Sequence, residues 1–388
     1  MQFSYLVTLA LASVVRGATL MEAIASQSTT LSTLNSLLAE QPALMQMLMG
    51  AKNITILAPS NDAFASFVQS PENKAAAADN ATLMAVLEYH VLEGMHMSSD
   101  FTTKMEFFPT MLGASSNMTM GSMMMSNMSL SSVTGGQVVG GMKMGNMVEI
   151  MSGLKETSMV QTADLMFEGG VIHIIDSVLT IPKMPSVSAV DSQLTALAGA
   201  LKATNLLMAV DMLKDVTIFA PSNAAFKAIG SATGSLTEQQ LAGILEYHII
   251  NGTVGYSTLL SMGLANRTLP TLEGPDLRVQ ATGDKIFING AQVQIADVLV
   301  SNGVMHVIDA VLNPANTTAT ANPTATTPAV MFQGAAAASN VPFTSGISAT
   351  TTAPSATTQT AAAGLSVEQP AVGAIGAAAL FGLVIAAL

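Results

Sequence analysis

Residues 55–67 read TILAPSNDAFASF, and residues 217–229 read TIFAPSNAAFKAI. Each is a short, β-branched-rich run that stops at proline, as a buried strand does. The Ser60-Asn61 and Ser222-Asn223 pairs that follow are suited to cap a helix carrying Phe64 or Phe226 into a core. Two further blocks recur in the same order. Residues 87–92 (LEYHVL) and 245–250 (LEYHII) end runs of helical apolar spacing. Residues 169–179 (GGVIHIIDSVL) and 302–312 (NGVMHVIDAVL) alternate with period two after a glycine turn. Three blocks repeated in one order mark two homologous domains, joined near residues 182–190. In the second, residues 277–290 (LRVQATGDKIFING) predict a hairpin turning at Gly283.

Composition narrows the function. Of the 388 residues, half are hydrophobic and only 10% are charged, with a net charge of -12. A phosphate-binding surface needs clustered lysine and arginine, and the 13 basic residues form no cluster, so nucleic acid is not an expected partner. The chain has no cysteine, which removes thiolate metal sites and cysteine nucleophiles. It carries no serine elbow, phosphate loop, HExxH helix or DxDxDG loop, and no enzyme is expected.

Both ends read as processing signals. Residues 1–17 form a short apolar signal peptide with small residues before the cleavage point. Residues 371–388 (AVGAIGAAALFGLVIAAL) lack a basic flank, and Ala361, Ala362, Ala363 and Gly364 precede a polar spacer. That order predicts a glycosylphosphatidylinositol (GPI) anchor, with residues 364–388 as its propeptide. Sequons at Asn53, Asn80, Asn117, Asn127, Asn251, Asn266 and Asn316 fit a secreted glycoprotein. Residues 315–363 are rich in Thr, Ala, Ser and Pro without an apolar period, and are expected to form a disordered stalk.

The AP-S-N-x-AF box, the Tyr-His pair and the closing [GN]G-V-x-H-x-I-D-x-V-L strand together resemble the fasciclin (FAS1) family. The resemblance covers residues 19–182, where the first domain holds a Met-rich insertion, and residues 187–314. It implies an α+β fold in which each tandem domain is a wedge or sandwich of β-strands with helices packed around it. It also implies an extracellular, lipid-anchored, non-catalytic protein at the outer face of the plasma membrane or in a cell wall. The expected partners are matrix or wall glycans, glycoproteins or a second copy of the chain.

In animal members, an Asp-aliphatic motif before the last strand and the Tyr-His pair are linked to adhesion. The matching positions are Asp164-Leu165, Asp297-Val298, Tyr89-His90 and Tyr247-His248. A structural role is the alternative for each: a turn-forming aspartate, and hydrogen-bonded Tyr and His at a helix end. His173 and His306, flanked by apolar residues, invite the same structural reading.

Methionine is the individual feature. His90 and His173 are 83 positions apart, against 58 between His248 and His306. The longer span holds residues 117–129, NMTMGSMMMSNMS. Thioether sulfur is a soft ligand for Cu(I), and Met118, Met120, Met123, Met124, Met125 and Met128 could supply several sulfurs. No other cofactor is expected, and the alternative is that these side chains fill apolar gaps.

Overall fold

A computed structural model describes residues 17–113 and 131–349. The first domain opens with helices α1 (Leu20–Ser26), α2 (Ser28–Glu40) and α3 (Pro42–Gly50). Strand β1 (Ile54–Pro59) leads into α4 (Asn61–Phe67), α5 (Pro71–Ala78) and α6 (Asn80–Tyr89). Strands β2 (Val91–Glu93), β3 (Glu106–Pro109), β4 (Val138–Met144), β5 (Met147–Met151), β6 (Thr157–Phe167) and β7 (Gly170–Ile175) complete it. The second domain repeats the plan: α7 (Pro185–Asp191), α8 (Thr195–Ala203), α9 (Leu207–Asp211), β8 (Val216–Pro221), α10 (Asn223–Ala228), α11 (Gly230–Thr233) and α12 (Glu238–Tyr247). Strands β9 (Ile249–Ile250), β10 (Thr268–Leu269), β11 (Leu277–Thr282), β12 (Lys285–Ile288), β13 (Ala291–Val300) and β14 (Gly303–Ile308) follow.

Each domain therefore mixes a seven-stranded sheet with a helical layer, ordered β2-β1-β7-β6-β5-β4-β3 in the first and β10-β11-β12-β13-β14-β8-β9 in the second. The edges meet: Leu92 bridges Thr110 beside β3, and the Leu272 N–H donates to the Ile249 carbonyl, so each sheet curls into a barrel-like form. The landmark blocks make the parallel centre, β1 beside β7 and β8 beside β14. These strands are buried throughout because they serve two cores. Ile54, Ile56 and Ala58 meet the helices, whereas Leu57 joins the barrel interior with Tyr89, Val139 and Ile150. Gly170 and Gly303 are steric necessities. A Cβ there would lie 1.8 Å from the Ile54 carbonyl oxygen and 1.9 Å from that of Val216.

Local signals perform as read. Ser60 and Ser222 accept from the Ala63 and Ala225 N–H groups and cap their helices. Asn61 and Asn223 have a different task. Their side-chain oxygens accept from the Thr33 and Ala196 N–H groups, pinning α2 and α8 to the strand–helix corner. The 277–290 hairpin turns at Gly283, with φ of 58°.

One expectation needs correction. Residues 315–349 are not a free stalk, because they run as an irregular strap along the second domain. Met331 is buried, and Phe332, Val341, Phe343 and Ile347 pack on the core. The Ser231 N–H donates to the Ala336 carbonyl and the Ala338 N–H to that of Lys227. A few apolar side chains spaced along a Thr/Ala-rich segment suffice to hold it.

Candidate functional site

Both Asp positions sit on a β-bulge with φ of 61°, where the register of β6 or β13 slips. Aspartate tolerates this left-handed conformation better than most residues. In the first domain the Asp164 N–H donates to His173 Nδ1 (3.2 Å), and the carboxylate accepts from Ser98 N (2.8 Å) and Ser98 Oγ (2.5 Å). His173 Nε2 then donates to the His96 carbonyl at 2.8 Å. The second domain repeats the clip with Ser257, Asp297 and His306, whose Nε2 donates to the Gly255 carbonyl. Burial pushes the Asp164 carboxyl up, but the two Ser98 hydrogen bonds and His173 outweigh it and hold it below the usual range. Burial lowers both imidazoles, so neutral rings hold the bulges in shape.

The Tyr-His pairs are interior. Tyr89, His90, Tyr247 and His248 are all buried. Tyr89 donates to the Val138 carbonyl (2.8 Å), and Tyr247 accepts from Asn289 Nδ2 (2.7 Å). His90 Nδ1 donates to the Val86 carbonyl while Nε2 accepts from the Leu179 N–H. His248 does the same with Ile244 and Leu312. Each ring thus ties a helix end to the segment after the closing strand. Burial lowers the pKa of both to about 4. None of these four residues can touch a partner directly, which corrects that expectation.

The two bulges differ in exposure. Asp297 and Val298 are buried, so they too are removed as contact residues. What covers this region is the first domain. Its 3-10 turn Gly153–Lys155 places Leu154 at φ 55° and Lys155 at φ 59°. Lys155 Nζ donates to the Ala296 carbonyl at 2.9 Å. Burial lowers the Lys155 ammonium, against the opposing pull of Asp297 and Glu149. Around it, Gln137 Nε2 donates to the Val300 carbonyl and the Ser132 N–H to that of Ser301. Asp215 accepts from the Thr134 N–H and hydroxyl at 2.6 and 2.5 Å. Phe107 stacks on Tyr256 with centroids 4.1 Å apart, and Met105, Val138 and Met151 close over Leu299. Sequence reading missed Lys155 altogether. Its only signal was residues 152–156 (SGLKE), an insertion between β5 and β6 that has no counterpart between β12 and β13.

On the first domain the same edge is open. Thr162 and Ala163 are exposed, Asp164 and Leu165 are half-buried, and Met166 is 47% exposed where its counterpart Leu299 is covered.

Of the sequons, Asn53, Asn80, Asn251 and Asn266 are exposed, whereas Asn316 is half-buried and donates to the Met331 carbonyl. Asn117 and Asn127, the methionines at 118, 120, 123, 124, 125 and 128, the signal segment 1–16 and the anchor residues 361–364 lie outside the described residues. Among the described residues no three His, Asp or Glu side chains gather as a metal site. Two apolar gaps of about 20 and 10 Å³ lie inside the cores, beside His90 and His248.

A fasciclin domain family model matches residues 29–182 and 192–314. A fasciclin-like arabinogalactan protein of Arthroderma benhamiae is 33% identical over 326 residues, covering 83% of this chain and 73% of its own. The fasciclin-like arabinogalactan protein elcF of Phaeosphaeria nodorum is 28% identical over 73% of this chain and 85% of its own. Transforming growth factor-beta-induced protein ig-h3 of Sus scrofa is 26% identical over 68% of this chain and 35% of its own. Among solved structures, a FAS1 domain pair from the insect cell adhesion molecule fasciclin I aligns over 73% of this chain and 96% of that chain, at 18% identity and a TM-score of 0.34.

Proposed function

The chain belongs to the fasciclin domain family, and from that premise we propose that it is a non-catalytic surface glycoprotein that binds wall or matrix components through the open bulge of its first domain. The observation that carries this reading is the unequal use of two equivalent edges. The second domain's edge is consumed in holding the domains together, while residues 161–166 on the first stay accessible around a rigid Ser98–Asp164–His173 clip. A pre-shaped edge loses little entropy on binding. Asp164 and Leu165 are then the contact residues, with Met166 beside them. Secretion, GPI anchoring and glycosylation complete the reading, and the sequence signals at both ends support them. The chain's non-catalytic character is supported by its histidines, whose ring nitrogens at 90, 173, 248 and 306 are all engaged in structural hydrogen bonds.

Beads carrying residues 18–360 and offered wall fragments test this. Ala163→Arg/Met166→Arg alters exposed side chains only, and should lower capture about tenfold or more, as loss of a central contact does. Gln294→Arg, on the second domain's edge, should leave capture unchanged. Equal capture by all three proteins would refute the assignment. A second reading, Cu(I) binding by the methionines at 118–128, draws support from the density of thioethers there. Cu(I) titration before and after deleting residues 117–129 tests it: loading should disappear with the loop.

A further inference from the structure

The strap lies in a groove shaped for it. Gly199, inside α8, sits under the Phe343 carbonyl, where a Cβ would come within 1.7 Å of the oxygen. At Gly230, a Cβ would come within 2.2 Å of the Ala338 Cβ. Glycine inside a helix is unfavourable relative to alanine, so Gly199 has a packing reason. Between these notches the Phe343 ring meets Phe226 edge-on at 6.0 Å. Ser231 and Ala336 exchange two hydrogen bonds, Ser231 N–H to the Ala336 carbonyl and Ala336 N–H to Ser231 Oγ. The ligand this face selects is an irregular, turn-containing peptide with a small residue over Gly230 and an aromatic anchor whose own carbonyl lies over Gly199.

The first domain has no such groove. Thr33 and Asn61 match Ala196 and Asn223 in their shared hydrogen bond, which aligns Ser36 with Gly199 and Val68 with Gly230. Both notches are filled there, and Val68 is 41% exposed.

We propose that the α8–α10 face is a peptide-binding groove whose ligand is the segment 331–347, and that neighbouring copies of the chain exchange these segments. This rests on the adhesion reading and names one partner, a second copy. The tether at residues 313–330 contains neither helix nor strand, and its extended reach is about 60 Å, enough to span to an adjacent molecule. A neighbour's groove offers identical notches, so exchange replaces each contact of segment 331–347 with its equal. It costs tether entropy and the tether's own hydrogen bonds, Ala321 N–H to Gln280 Oε1 and Lys285 Nζ to the Pro323 carbonyl. Crowding at a surface raises the effective concentration and favours the exchanged state.

The chain has no cysteine, so Ser231→Cys/Ala336→Cys can lock the strap to its own domain without competing thiols. Mass measurement and a non-reducing gel verify the lock. Beads densely coated with residues 18–360 should clump, the oxidised lock should cut clumping about tenfold, and reductant should restore it. A synthetic 329–349 peptide should inhibit the wild type. Gly199→Val, which can receive no strap, should clump as little as the lock while protease cuts within 331–347 faster; circular dichroism checks its fold. Clumping of the lock at the wild-type level, or stronger clumping by Gly199→Val, would overturn the exchange. Wall capture by the same beads separates the two readings. Capture without clumping leaves adhesion and removes exchange; clumping without capture does the reverse.

Discussion

His90 and His248 carry their single proton on Nδ1, donated to a helical carbonyl, and offer Nε2 to the Leu179 and Leu312 N–H groups. A second proton would land on Nε2 and set two N–H groups against each other in a buried site. His173 and His306 use the opposite tautomer, accepting at Nδ1 from the bulge aspartate N–H. The unfolded chain protonates these rings near 6.5, whereas folded His90 and His248 resist until about 4. Their contribution to stability is therefore complete above 6.5 and is lost as pH falls from there toward 4. The gap corresponds to roughly 3 kcal/mol per histidine at most. Urea midpoints measured from pH 7.5 to 4 should fall steeply below 6.5, and His90→Gln/His248→Gln should flatten that fall.

At the scale of elements, the landmarks were legible because each answers to a local constraint. Gly170 is required by a parallel neighbour's carbonyl, Ser60 by a helix start, and Gly283 by a tight turn. The role of Lys155 was not legible, since nothing in SGLKE states that a carbonyl on another domain waits for its ammonium. The direction of the Asp164 side chain was equally hidden. Nothing near it in the sequence states that its carboxylate is clipped, because the donor is Ser98, 66 positions away. The strap escaped because composition registers few apolar residues and not the groove beneath them. The Lys155 turn makes its own prediction. Lys155→Met removes a charged hydrogen bond to the Ala296 carbonyl and should weaken domain coupling by about 1–3 kcal/mol. Amide exchange at Ser132 and Ser301 should quicken while the β1–β7 centre stays protected.

At the scale of the molecule, duplication supplied two equal edges and packing made them unequal. The second domain's bulge became an internal joint, with Leu299 beneath Met105, Val138 and Met151, while the first domain's bulge stayed open. The strap continues the asymmetry, because only the second domain has notches to hold it. If the open edge of the first domain does the binding, amide hydrogen exchange on wall-bound protein registers it there. Slower exchange across residues 161–168 on binding, with residues 294–301 unchanged, is the predicted result. Protection elsewhere, with residues 161–168 exchanging as in the free protein, would contradict it.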